Sequence, residues 1–549
     1  METKGCCRWN LKSRFTRTGI YDLASGLSIT FDLLTGTDNE AAVQALIPAL
    51  DCTNSVVQEG ALIALLKRRT AAGGREILDR MSRMKPEWKT IIRQHRGRLT
   101  GALRDAILGT EVGHCENGCR AAVMFRDYDL IPTLLTALDN STQPNCNLAA
   151  QAVLELVQAL CEEIAGSRDP SVRRDPQMIR RYVLGSLESS VYRYSQHRRR
   201  EVIESFLLLA GRDNATLRQI LGNPHHAVRV TMTDVLSKSA QRGVLRLLLK
   251  FLDDPNAPLA TLTVIAGRND SRFIHYLMRK IGREPTAAMA LNLKKLTSIS
   301  WLGDCRRIMD QIDDAGQHSA VRFAMALGVP RQHALGLIET ILLHGKPGGR
   351  REAARALGEF QGTDANALAM SAMADPDPQV QANLIPQLRG RGIPGVLPSL
   401  LELVNSPYAV VRKAARESLA EFNFKRFVVA FDMLDEEVRH STGLLIKKID
   451  VQSISLLNDE LKSPIRTHRL RGLAIARSIE AVESVQSAVI EMLQDEDHLI
   501  RMEAAATLSK SISPASVAAL TEALNDKSEV VRLSAQRSLQ EAIQACPTQ

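Results

Sequence analysis

Near its end the chain places Val531, Ala535, Leu539 and Ala542 at i, i+4, i+8 and i+11, which at 3.6 residues per turn is one narrow apolar stripe on a helix. The pattern V-R-x-x-A-x-x-x-L that carries this stripe includes Arg532, and it stands about 31 residues upstream as Ile500, Arg501, Ala504 and Leu508. Related segments continue toward the N-terminus at steps of about 27 to 32 residues. "HRLRGLAIARSI" places Arg469, Gly472 and Ala476; "EEVRHSTGLLIKKI" places Val438, Arg439, Thr442 and Ile446; "YAVVRKAARESLAEF" places Val411, Arg412, Ala415 and Leu419. In "PQVQANLIPQL" Gln381 stands where Arg was, and fainter copies lie at Gly348, Arg322, Arg229, Cys146 and Gln58.

A second amphipathic segment precedes each stripe, as in "SVAALTEALND", "AVIEMLQDE", "VLPSLLELVNS" and "LIPTLLTALDN", so the predicted unit is a pair of helices. Asn223-Pro224, Asp254-Pro255, Asp377-Pro378, Ser406-Pro407 and Ser463-Pro464 each put a capping oxygen ahead of a proline suited to a first helical position. A lone hairpin cannot bury its apolar face, whereas stacked hairpins share one continuous core.

These residues resemble the HEAT-repeat family, and the short V-R-x-x-A-x-x-x-L form looks like the HEAT-like repeats named after phycobilin lyases. The resemblance runs over residues 40–545 and implies an all-α superhelix, or solenoid, of helical hairpins; it implies little about activity, because the matching residues are those that stack helices. Residues 1–39 are set apart as a basic segment expected to be only partly ordered. Residues 67–104 and 168–204 are expected to be irregular units. The recurring arginines Arg229, Arg322, Arg412, Arg439, Arg501 and Arg532 sit at starts of second helices. The arginine lies near Asp495 or Asp526 in the preceding loop of its own unit, which suggests a structural ladder of Asp–Arg contacts between successive loops rather than a row of ligand contacts.

Composition supports this picture. At 549 residues, with 45% hydrophobic, 24% charged and only 4% aromatic residues, the chain suits closely packed helices better than sheets. No run reaches the ~18 apolar residues of a membrane span. The N-terminal stretch lacks a secretory h-region, which points to the cytoplasm. Nine scattered cysteines read as reduced thiols.

Charge is unevenly placed. Residues 67–104 hold twelve Lys or Arg against three Asp or Glu, a surplus equal to the net charge of +9 for the whole chain. Lys85, Lys89, Arg93 and Arg96 fall at i, i+4, i+8 and i+11 on a helix expected to begin near Pro86, with Trp88, Ile92 and Leu99 on another face. "VYRYSQHRRR" adds Arg193, Arg198, Arg199 and Arg200 with Tyr192 and Tyr194 between them. Basic side chains interleaved with aromatics can hold phosphates and stack bases, although such runs are usually solvated faces.

Catalytic templates are missing: the sequence has no H-E-x-x-H, G-x-S-x-G or G-x-x-x-x-G-K-[ST]. "HGKPGGRR" has Lys346 before Pro347, the wrong order for a phosphate loop. "HCENGC", with His114, Cys115 and Cys119, lacks the fourth ligand of a structural zinc site. Cys6-Cys7 offers lipidation or redox chemistry, but with no anchor signal beside it the pair is expected to have no role, and His225-His226 reads as a surface pair. Among enzymes on HEAT-like folds, deoxyhypusine hydroxylases bind two irons through His-Glu dipeptides, and this sequence contains none. The phycobilin lyases share the repeat without a fixed catalytic pattern. HEAT-like DNA glycosylases use clustered aromatic and acidic groups, whereas Trp9, Trp88 and Trp301 are far apart here. The expectation is a non-catalytic scaffold or adaptor, without cofactor, holding a protein or peptide along a helical groove. Nucleic-acid binding through the basic region is the alternative, and a lyase-like or other enzyme the second.

Overall fold

A computed structural model describes residues 25–95, 97–139, 146–166, 175–511 and 513–545. Among these residues every regular element is helical, from Ser25–Gly36 to Glu529–Ala545. The fold is all-α, made of stacked helical hairpins of solenoid type. Two compact units are present: Met1–Trp301 with Ala326–Val329, and Leu302–Met325 with Pro330–Gln549.

Helix starts follow local chemistry. Pro86, Pro176, Pro347, Pro378 and Pro514 stand in the first turn of their helices, where the missing N–H removes no intrahelical bond. Of the five dipeptides expected to start helices, only Asp377-Pro378 does so, Asp377 accepting the Gln379 N–H at 2.9 Å. At the other four the side chain accepts the N–H two residues on, at His225, Asn256, Tyr408 and Ile465. The helices there begin later, at Arg229, Leu259, Ala409 and Arg466. The capping oxygen has closed a turn before the helix, which Asn, Asp and Ser do as readily as they cap.

In the first unit Phe206, Phe251 and Phe273 are fully buried. The Ser25–Gly36 helix lies within the segment set apart above and packs on Ser55–Arg68, with the Phe31 ring against Gly60; a β-carbon there would meet the ring at 2.4 Å. Residues 71–108 form three nine-residue helices, Ala71–Asp79, Pro86–Gln94 and Thr100–Leu108, and Gly97 with φ of 83° turns the chain between the last two. Residues 175–209 form a long helix, Pro176–Tyr192, then a single turn, Tyr194–His197, then Arg200–Leu209.

In the second unit one apolar cluster runs from Phe424 to Ala535 and includes Leu473, Ile500, Ala504 and Leu508. The stripe residues Val531 and Ala535 are fully buried, but Leu539 is only partly so. Leu508→Ala is therefore expected to cost about 2–4 kcal/mol, and Leu539→Ala less than about 2 kcal/mol, because part of that side chain stays in water and leaves a smaller cavity when removed. Hydrogen exchange under mild denaturant measures both. Equal losses at the two positions would contradict the difference in burial.

Candidate functional site

The repeat arginine has a definite place in the second unit. Arg412, Arg439, Arg501 and Arg532, with Arg350 and Arg469, are each the fourth residue of their helix. From there the guanidinium reaches back over the preceding loop. Arg501 donates to the carbonyls of Asp495 and Glu496 at 2.8 and 3.1 Å, Arg469 to Ser463 and Pro464 at 3.0 and 3.1 Å, and Arg412 to Ser406 and Pro407 at 2.8 and 2.9 Å. Arg439 reaches Phe431 and Asp432, and Arg532 reaches Asp526, in the same way. Even Gln381 keeps this bond, to the Asp375 carbonyl at 2.8 Å. These are orphan acceptors at a helix end, and a cation near them also complements the helix dipole.

The carboxylate partner comes from the next loop, not from the arginine's own. Arg501 forms a two-point pair with Asp526 at 2.8 and 3.0 Å, Arg350 one with Asp375 at 2.9 and 3.2 Å, and Arg469 lies 2.9 Å from Asp495. Each of these aspartates also accepts the N–H of the residue two positions on: Asp377, Asp497 or Ser528. One carboxylate thus shapes its loop and links two units. The hydrogen bonds from Arg501 hold the Asp526 carboxyl below the usual carboxylate range.

Two of the named arginines depart from this register. Arg322 is in the middle of the Asp314–Ala326 helix and pairs with buried Glu352 at 2.7 Å. Arg229 is the first residue of its helix, and its Nε is buried without a hydrogen bond. Arg268 and Arg391 were not singled out by sequence. Arg268 donates to the Leu236 and Ser239 carbonyls at 2.7 and 3.1 Å, and Arg391 to those of Leu357 and Phe360 at 2.6 and 2.9 Å. Arg268 also pairs with Asp270 at 2.8 Å and Arg391 donates to Gln387 at 3.0 Å, but the carbonyl acceptors leave no residue type to search for.

At Arg412 the ladder is interrupted. The position six residues before the next repeat residue is filled by Asp375, Asp495 and Asp526 in their units, but by Ser406 before Arg412 and Ser463 before Arg469, so Arg439 too meets carbonyls only. Before Arg439 it is Met433, and that residue is 89% exposed. Here the step between arginines shortens to 27 residues, and the first helix of the new unit, Phe424–Ala430, has only seven. The shortened step is the sequence signal that could have found this place. Between the Ala409–Ser418 helix and the start of the Ser453–Leu461 helix lies a cleft of about 820 Å³. Arg412, Lys413, Arg416 and Lys425 border it, with Phe422 and Leu456 among its apolar walls. Its two acids are already engaged: Asp450 accepts the N–H groups of Phe424 and Gln452, both at 2.9 Å, and Glu417 lies 3.8 Å from Lys413.

The basic clusters are arranged differently. The Pro86–Gln94 helix places Trp88 and Ile92 in the core, as the spacing predicts, but it ends before Arg96, which lies outside the described residues, and Lys85 is its N-cap. The expected stripe is therefore reduced to Lys89 and Arg93 on the helix, with Lys85 at its mouth. Lys85 donates to Gln58 at 2.8 Å, and Arg93 reaches the Met124 carbonyl at a long 3.5 Å. In the second cluster Arg193 pairs with Asp139 at 2.9 Å, Arg200 with Asp234 at 2.5 Å, and Arg199 bonds Asn147. Arg198 takes the left-handed conformation, with φ of 52°. His197 beside it is buried, accepts the Arg199 N–H at 3.0 Å and donates toward Ser190; burial pushes its pKa down.

Other candidates resolve simply. Cys115 and Cys119 are buried in the Val112–Phe125 helix, where hydrogen bonding with Cys115, then burial, pushes the Cys119 thiol well up. His114 pairs with Asp79 at 3.0 Å. Among the described residues no His/Cys/Asp/Glu group is arranged to hold a metal ion, and no helix is long and apolar enough to cross a membrane. The amides of Gly348 and Gly349, at the start of the Pro347–Ala356 helix, both donate to Asp314, so the chain's own carboxylate takes the place an anion would have. Cys6 and Cys7 lie outside the described residues.

A family model described as HEAT repeats matches residues 335–420 and 454–540, and the gap between the two matches supplies part of the cleft's border, within residues 422–425 and 449–452. No curated protein matches the chain. Among solved structures, an engineered protein is 14% identical, with 91% of this chain and 98% of that one covered, at a TM-score of 0.18. Human deoxyhypusine hydroxylase in complex with glycerol is 15% identical over 57% of this chain and 98% of that one, at 0.17. The karyopherin Kap121p bound to the SUMO protease Ulp1p is 11% identical over 95% and 72%, at 0.24. Superpositions this loose transfer neither partner nor activity. Within residues 335–540 the stacked hairpins match HEAT repeats, over 335–420 and 454–540.

Proposed function

We propose that the chain is a non-catalytic, cytoplasmic scaffold or adaptor that holds a protein or peptide partner on its helical repeats. The observation that supports this reading best is the cleft between the Ala409–Ser418 and Ser453–Leu461 helices, where the repeat register breaks and charged and apolar side chains face solvent together. At Arg350, Arg469 and Arg501 the repeat arginine is taken up by a carboxylate of the next loop. A partner bound in the cleft would be gripped by side chains that the fold itself does not need. Affinity capture of the full chain from its native cell, with and without nuclease, tests the reading. A protein recovered in near-equal amount after nuclease treatment supports it; recovery of nucleic acid alone would sink it.

A second reading, nucleic-acid binding through the basic region, draws on Lys85, Lys89 and Arg93, none of which has a carboxylate partner among the described residues. Replacing all three by Gln is expected to lower the slope of log affinity against log salt by roughly three for duplex DNA, about one for each phosphate no longer neutralised. Folding should change little, since Trp88 and Ile92 remain buried on the opposite face. If the unaltered protein binds no oligonucleotide at low salt, where attraction is strongest, this reading fails.

A further inference from the structure

We propose that the cleft beside Arg412 receives an acidic, extended segment of a protein partner, whose carboxylates take the place that Asp375, Asp495 and Asp526 hold elsewhere in the array. The proposal rests on the scaffold reading. Its first support is the interrupted ladder. Arg350, Arg469 and Arg501 each meet a carboxylate from the following loop, whereas Arg412 and Arg439 meet carbonyls only, with Met433 and Ser463 where the carboxylate would be; of these two, Arg412 is the one that borders the cleft. Its second support is charge. Arg412, Arg416 and Lys425 face one cleft with no carboxylate partner among the described residues, and the Arg416 Nε is shut off from water without a hydrogen-bond partner. An arriving carboxylate finds these cations unpaired, and guanidinium groups fit carboxylates at two points.

The third support separates a peptide from a phosphate chain. Phe422 and Leu456 line the cleft, and Val451 on its border is 74% exposed. A phosphate backbone would use the cations and leave this apolar surface wet. A peptide with carboxylates on one side and an aliphatic residue on the other covers both. At about 820 Å³ the cleft has room for a short run of residues.

The test uses the full chain and a fluorescein-labelled peptide of alternating Glu and Leu, read by anisotropy beside peptides with Gln or Lys in place of Glu. Only the Glu peptide should bind, more weakly as salt rises. Arg416→Glu with Lys425→Glu should weaken it by at least about tenfold through charge reversal, while the triple Gln variant at Lys85, Lys89 and Arg93 should bind unchanged. Lys425→Glu alone guards against misfolding: it is exposed, and an acid in the first turn of the Phe424–Ala430 helix suits the dipole. It should still weaken binding severalfold. The proposal is overturned if the Glu peptide does not bind at low salt, if the Gln peptide binds equally well, or if inorganic phosphate or a short oligonucleotide displaces the peptide at lower concentration. A captured partner that survives Lys425→Glu would overturn it too, yet leave the scaffold reading standing.

Discussion

Arg501→Ala should destabilise the end of the second unit by about 3–5 kcal/mol, the loss typical of breaking a buried ion pair from one side. Arg501 is buried at 3% exposure, and its partner Asp526 is little more accessible. The substitution strands Asp526 and also frees the carbonyls of Asp495 and Glu496. Arg532→Ala, in the same helical position but exposed and bonded to a single carbonyl, should cost under about 1 kcal/mol. Urea denaturation followed by hydrogen exchange in residues 486–545 measures both, and similar losses would mean that the ladder adds nothing to stacking. Acid gives an independent check. The carboxyl of Asp526 titrates below its ordinary 3.8 in the folded chain, so the unfolded state binds the proton first as pH falls. The pair's contribution is complete above about pH 4 and is lost as pH drops through the folded value. Arg501→Ala should remove that part of the acid sensitivity.

Much of this was written in the sequence. The fourth-position arginine is fixed by helical register and recurs visibly, whereas the aspartate six residues before the next repeat position recurs at Asp375, Asp495 and Asp526 and gives way to Ser406, Met433 and Ser463 in the units between. What the sequence concealed follows from what it lacks. The expected ladder of Asp–Arg contacts between successive loops is present at Arg350, Arg469 and Arg501, but which aspartate meets which arginine is set by the stacking, which brings the next loop to the guanidinium. The stripe from Lys85 to Arg96 assumed a helix of three turns, but the Gly97 turn ends it at Gln94. Arg268, Arg391 and the cations around Glu352 depend on which helix ends meet. That is decided by packing, which no periodicity records.

Glu352 yields the other large effect. It lies on the Pro347–Ala356 helix with its side chain 3% exposed, 2.7 Å from both Arg322 and Arg355 and 3.7 Å from His318. Either arginine alone should be dispensable at about 1 kcal/mol, because the other still neutralises the carboxylate and both are open enough to water to be weak partners singly. Removing both, Arg322→Ala with Arg355→Ala, leaves a buried carboxylate beside one distant imidazole. That loss should reach about 3–5 kcal/mol, more than the sum of the single changes. Adding Glu352→Leu to the double variant removes the stranded charge and supplies apolar volume, so stability should return to within about 1–2 kcal/mol of the starting protein. Denaturant midpoints of the four variants decide it. If the triple variant is no more stable than the double, the loss came from the missing arginine stems packed across this helix pair, and the buried carboxylate was not its cause.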